Sequence, residues 1–162
     1  MPGTDSELPY RVDCCRSRLA GSIMKIKGIH HIAIICSDYA RSKTFYTETL
    51  GLSVIDEHYR AARDSYKLDL RAPDGVQIEL FSFPDAPLRP SYPEARGLRH
   101  LAFAVEQIGN AIASLQARGV QVEPLRVDEY TGRRFCFFSD PDGLPIELYE
   151  SPSGSDQDAS AL

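Results

Sequence analysis

The feature that most constrains this chain is that it states one pattern twice. The first copy opens with His31-Ile32-Ala33-Ile34-Ile35 and closes with Pro73-Asp74-Gly75-Val76-Gln77-Ile78-Glu79-Leu80-Phe81. The second opens with His100-Leu101-Ala102-Phe103-Ala104-Val105 and closes with Pro141-Asp142-Gly143-Leu144-Pro145-Ile146-Glu147-Leu148-Tyr149. The two opening histidines are 69 residues apart, and the two closing glutamates are 68 apart. That period is too long for a solenoid and points to a duplicated supersecondary unit.

Each copy follows the same plan. A short apolar run rich in Ile, Phe or Val reads as a strand. A helix is expected from about Tyr39 to Leu50, with Ser37 or Asp38 as its N-cap and Gly51 just past its end. Its counterpart runs from about Ile108 to Arg118, with Ile108, Ile112 and Leu115 on one face and Gly119 as the stop. Two or three strands follow, and Pro-Asp-Gly forms the turn before the last of them. The expected fold class is α+β: two βαβββ modules forming a curved mixed sheet around a metal-binding cavity. No glycine-rich phosphate loop occurs, so nucleotide binding has no support.

The 162 residues suit one domain over 24–150, with modules at about 27–84 and 97–150. Residues 1–23 are polar and aperiodic and read as an extension, and residues 151–162 read as a flexible tail. A net charge of −5 argues against a nucleic-acid surface. The densest apolar run, Ile32 to Cys36, is far short of a membrane span. Cys14, Cys15, Cys36 and Cys136 show neither disulfide nor zinc-ligand spacing, and the N-terminus shows no secretory signal. A cytoplasmic protein with reduced thiols is the expectation.

Strand alternation identifies the chemistry. His31, Ala33 and Ile35 share a face, as do Gln77, Glu79 and Phe81, while Ile32, Ile34, Ile78 and Leu80 take the opposite one. Pro145, Glu147 and Tyr149 likewise oppose Ile146 and Leu148. If the Ile/Leu faces pack beneath the helices, each module offers one His and one Glu to the cavity. Two imidazoles with two carboxylates suit Zn, Ni, Co, Fe or Mn and leave positions open for water or substrate. Of the neighbours His30 and His31, the repeat selects His31, because His30 aligns with Arg99.

The His-Ile-Ala-Ile strand, Phe45-Tyr46 before Leu50-Gly51-Leu52, and Asp-Pro-Asp-Gly-Leu-Pro-Ile-Glu-Leu resemble the vicinal oxygen chelate superfamily. That group contains glyoxalase I, bleomycin resistance proteins and extradiol dioxygenases. The resemblance covers about Lys27 to Glu150. The stretch from Arg60 to Lys67, with Phe81-Ser82-Phe83-Pro84 and Arg89-Pro90, is most similar to a glyoxalase-like bacterial branch. It implies one divalent metal per site, Zn or Ni first and Co, Mn or Fe also compatible, held by His31, Glu79, His100 and Glu147. It also implies a homodimer and a small-molecule substrate. The modules would pair within one chain or be exchanged between two. Bacterial glyoxalase I has an Arg four residues after its first ligand; here that position is Ile35, which counts against a glutathione adduct.

The implied activity is that of a lactoylglutathione lyase-like metalloenzyme, acting on a small carbonyl or hemithioacetal. It works by proton abstraction and enediolate stabilisation. Glu147 is the catalytic base by resemblance, with Glu79 its symmetric alternate. Tyr66-Lys67 and Arg133-Arg134 lie in strand-like runs where one of each pair can face the cavity, and Arg63 and Tyr130 lie near strand ends. Lys67, Arg134, Arg63 and Tyr130 are therefore the candidate substrate residues. The rival functions are a non-catalytic binding or resistance protein and an iron-dependent ring-cleaving dioxygenase.

Overall fold

The computed structural model describes residues 24–151. The extension expected over residues 1–23, Cys14 and Cys15 included, and residues 152–162 of the expected tail lie outside the described residues.

The first module comprises β1 (His31–Cys36), α1 (Tyr39–Thr44), β2 (Ser53–Arg60), β3 (Ser65–Arg71) and β4 (Gln77–Ser82). The second comprises β5 (Leu101–Val105), α2 (Ile108–Ala117), β6 (Arg126–Val127), β7 (Arg134–Ser139) and β8 (Pro145–Glu150). Both are βαβββ, as the repeat requires. Each module forms its own four-stranded mixed sheet, ordered β1-β4-β3-β2 and β5-β8-β7-β6. The pairs β1/β4 and β5/β8 are parallel, and the remaining pairs are antiparallel.

Local sequence explains the elements. The Asp38 carboxylate accepts the Arg41 N–H at 3.0 Å and caps α1. The expected helix to Leu50 continues beyond Thr44 as a wider π-helical turn, Phe45–Thr49. Such turns are often placed where a side chain must be re-aimed; here the turn contains Tyr46, which is fully buried. Gly51 and Gly119 end the two helices at φ +75° and +79°, a left-handed conformation that costs glycine little. β6 is only two residues against eight in β2, with one further bridge between Val122 and Phe138. Pro124 lies between the bridge and β6 and has no N–H to continue the ladder.

Alternation is obeyed in both sheets. Ile34, Leu68, Leu70, Ile78, Leu80, Ile146 and Leu148 are buried on the helix side and join one core shared by both modules. The modules are clamped where α1 meets the β7–β8 turn. The Tyr46 hydroxyl donates to Asp140 Oδ2 at 3.0 Å, and Asp140 Oδ1 accepts the Asp142 and Leu144 N–H groups at 2.9 and 2.8 Å. The Ser37 N–H donates to Asp142 at 3.0 Å, and an Arg41 amino group donates to the Pro141 carbonyl at 2.6 Å. Burial raises the Asp140 carboxyl above the usual range, against the opposing pull of these hydrogen bonds. Removing the acceptor strands a buried N–H and a buried hydroxyl. Asp140→Ala is therefore expected to cost about 3 kcal/mol in urea unfolding; a loss below 0.5 kcal/mol, by the same order-of-magnitude scale, would contradict the clamp.

Candidate metal and substrate site

The parallel pairs place the candidate ligands. Ala33 is the register partner of Glu79, and Ala102 is the partner of Glu147. In each module the small alanine stands beside the carboxylate, and the histidine two residues earlier reaches it diagonally. His31 Nε2 lies 3.7 Å from Glu79 Oε2, and His100 Nε2 lies 3.1 Å from Glu147 Oε2. Ligand bonds of about 2.0–2.2 Å put neighbouring donors on one ion about 3–3.5 Å apart, so each pair is near a coordination span. The His30 Nδ1 is 2.9 Å from His31 Nδ1, and His31 Nε2 is directed at Glu79. His100 Nδ1 is buried without a partner, an unsatisfied polar atom of the kind retained at functional positions. The donor set therefore fits a divalent metal in type and spacing, in two halves.

The halves are not gathered within this chain. Among the described residues, no three His, Cys, Asp or Glu side chains come together in a metal-binding group. A cavity of about 140 Å³ beside His100 is walled by Arg89, Tyr92, Arg99, Arg126 and Phe137, with neither His31 nor Glu79 in its lining. The His31 side chain is 44% exposed, and Ile35 on the same face is 55% exposed.

The two carboxylates differ in their surroundings. Lys67 Nζ is 3.0 Å from Glu79 Oε1 and donates to Asp69 Oδ2 at 2.7 Å. Desolvation pulls the Lys67 ammonium down, but hydrogen bonds to Asp69 and Glu79 and their charges together hold its pKa above that of an ordinary lysine. Among the described residues, the ion-pair partner of Glu147 is His100, whose ring packs edge-on against Phe137 with centroids 5.2 Å apart.

The expected substrate residues divide. Lys67 is on the ligand face, but it is bound to Glu79 rather than held free. Arg63 sits exposed in the 3-10 turn Ala61–Arg63, and Tyr130 is 90% exposed in the loop before β7. Arg134 is a correction. It alternates with Phe135 and Phe137 and so lies on the helix side of β7, opposite Glu147. There it donates from Nε to Glu150 Oε2 at 2.7 Å, and Glu150 Oε1 accepts the first α2 amide at 3.4 Å. Sequence reasoning did not single out Asp69, Arg126 or Arg60. Asp69 is the register partner of Glu79, so counting back by twos along the preceding strand would have found it.

Comparison with known proteins adds to this geometry. A family model described as the Glyoxalase/Bleomycin resistance protein/Dioxygenase superfamily matches residues 28–148. The uncharacterized protein YwkD of Bacillus subtilis (strain 168) is 58% identical over 127 residues, 78% of this chain and 99% of YwkD. A 2-epi-5-epi-valiolone epimerase from Actinomyces sp is 27% identical, over 78% of this chain and 81% of that protein. The crystal structure of a glyoxalase family protein from Enterococcus faecalis is 51% identical with a TM-score of 0.73, covering 78% of this chain and 100% of that one. Among the described residues no helix is long and apolar enough to cross a membrane.

The Arg134–Glu150 pair makes its own prediction. Hydrogen bonding to Arg134 holds the Glu150 carboxyl below the usual glutamate range. A depressed carboxyl contributes stability that is present above its unfolded pKa, about 4.3, and lost as pH falls through its folded value. Arg134→Met should therefore flatten the fall in thermal midpoint between neutral pH and about pH 3.5, and leave metal content unchanged. Loss of metal in that variant would return Arg134 to the site.

Proposed function

Because the chain belongs to the glyoxalase/bleomycin resistance protein/dioxygenase superfamily, we propose that it is a metal-dependent lyase or isomerase of glyoxalase I type. Its substrate is a small carbonyl compound, hemithioacetals being the first to test, and its reaction moves a proton between carbons beside a carbonyl. The observation that carries this reading is the pair of His–Glu half-sites on equivalent parallel strands, His31 with Glu79 and His100 with Glu147, each near a coordination span. The epimerase relative supports it, since epimerisation is named for a configuration change at carbon.

The half-sites are proposed to meet across a homodimer, His31 and Glu79 from one subunit facing His100 and Glu147 of the other. The exposed His31 and Ile35 on the first module's ligand face support a covering partner. Zn or Ni is the proposed ion, and Co, Mn or Fe suits the same donors. When bound, the ion supplies Lewis-acid stabilisation of the negative charge that develops on substrate oxygen. Glu147 removes and returns the proton. Its aromatic neighbour Phe137 limits water around it, and among the described residues no lysine pairs with it as Lys67 pairs with Glu79. Glu79 is held by Lys67 and Asp69 and serves as the anchored ligand.

Elemental analysis of protein purified without added metal tests the site. One divalent ion per chain is expected, lost in His100→Ala. Glu147→Gln should fold normally and lose about 10²–10⁴ in turnover of a hemithioacetal. No metal uptake by the wild type on reconstitution, or undiminished turnover in Glu147→Gln, would overturn the proposal.

A further inference from the structure

On the face of the first sheet that carries Glu79, two cations share one aromatic ring, and only one of them is neutralised. Lys67 Nζ lies 5.9 Å from the Phe81 ring centroid and is committed to Asp69 and Glu79. The Arg60 guanidinium lies 4.9 Å from the same centroid and 5.5 Å from that of Phe83. Arg60 pairs in register with Ser65 at the end of β2, two positions from the His58–Lys67 pair, which puts it on the Glu79 face. Its hydrogen bond runs from Nη2 to Ser65 Oγ at 2.7 Å, a neutral and fully buried acceptor. Among the described residues no carboxylate forms an ion pair with Arg60, and its Nε is buried without a partner.

The nearest acids in sequence are committed elsewhere. Glu57 accepts from the Tyr39 hydroxyl at 2.5 Å and pairs with Lys43, Asp64 accepts from the Tyr59 hydroxyl at 2.7 Å, and Asp56 pairs with His58 at 2.8 Å. A half-buried guanidinium without a counter-charge is costly unless something compensates it. Stacking on two rings offsets part of that cost and fixes the plane of the fork. A fixed fork with unused donors suits an oxyanion, which it meets through charge-assisted and often bidentate hydrogen bonds.

We propose that Arg60 is a specificity-determining residue that anchors a carboxylate or phosphate group of the substrate, so that the substrate is a small anionic carbonyl compound. This rests on the glyoxalase-type reading of the site for its reaction, but not for the anchor itself. The Arg60–Phe81–Lys67–Glu79 run of contacts puts the anchor one aromatic ring away from the cation that holds the candidate ligand. The anion would therefore sit at the end of the substrate remote from the reacting carbons.

Two measurements on the full chain separate the anchor from the reaction. The shielded Arg60 Nε–H should give a resolvable cross-peak in ¹H–¹⁵N NMR, identified by its absence in Arg60→Met. Succinate or inorganic phosphate should shift that peak saturably, and neutral succinamide should not; no shift with either anion, or an equal shift with succinamide, overturns the proposal. In calorimetry on zinc-loaded protein, succinic monohydroxamate should bind about tenfold tighter than acetohydroxamate, which has the same chelating oxygens and no carboxylate. Arg60→Met should abolish that advantage while leaving acetohydroxamate affinity unchanged, and Arg60→Gln serves if Arg60→Met fails to fold. If acetohydroxamate binds and the carboxylate adds nothing, the anchor falls and the metal site stands. If neither hydroxamate binds while the anion-dependent shift persists, the anchor stands and the glyoxalase-type reading falls.

Discussion

The proposed metal site depends on the register of two parallel strand pairs. Ala33 beside Glu79 and Ala102 beside Glu147 leave space at the carboxylate that a larger side chain would fill, and a histidine two residues upstream reaches into it. The register is held from behind. Ile34, Ile78 and Leu80 in the first module, and Ile146 and Leu148 in the second, are buried on the helix side. A slip of one residue would send those apolar side chains to solvent and the His–Glu pairs into the core. Core packing and ligand placement are thus two faces of one alternation. The Asp140–Tyr46 clamp then joins the modules through their helix-side elements and leaves the ligand face of β1 open.

The modules have diverged within this common frame. The first keeps a full β2 strand of eight residues, and that strand brings Arg60 over Phe81 and Phe83. The second has a two-residue β6, from which Arg126 stacks 5.1 Å from both Phe135 and Phe137 and pairs with Glu123 at 2.8 Å. The carboxylates differ in the same sense: Glu79 is tied to a lysine, and Glu147 stands between a histidine and a phenylalanine. Two chemically equivalent residues have been given unequal surroundings, which is how a symmetric frame can assign one to binding and the other to proton transfer.

Much of this was legible in the sequence, because it is periodic or local. The repeat revealed the βαβββ plan, alternation put His31 and Glu79 on one face, and alignment of the copies separated His31 from His30. Three features were not legible. The inward-facing member of Arg133-Arg134 depends on strand phase, which the adjacent loop obscures; Arg134 proved to be the outward one, paired with Glu150. The capture of Lys67 by Asp69 and Glu79 is a cross-strand event that composition does not report. Most important, the position of one module relative to the other depends on long-range contacts between α1, the following π-helical turn and the β7–β8 turn, which no local pattern encodes.

If one metal site is built from two subunits, complementary variants should restore it. Two double variants, His31→Ala/Glu79→Ala and His100→Ala/Glu147→Ala, should each purify folded and without bound metal. Mixed in equal amounts and allowed to exchange subunits, they would form heterodimers in which one of the two sites regains all four ligands. Metal binding should return to about one site in four of the mixture, with activity restored in proportion. A mixture that stays free of metal, although subunit exchange is verified, would contradict a site shared between subunits.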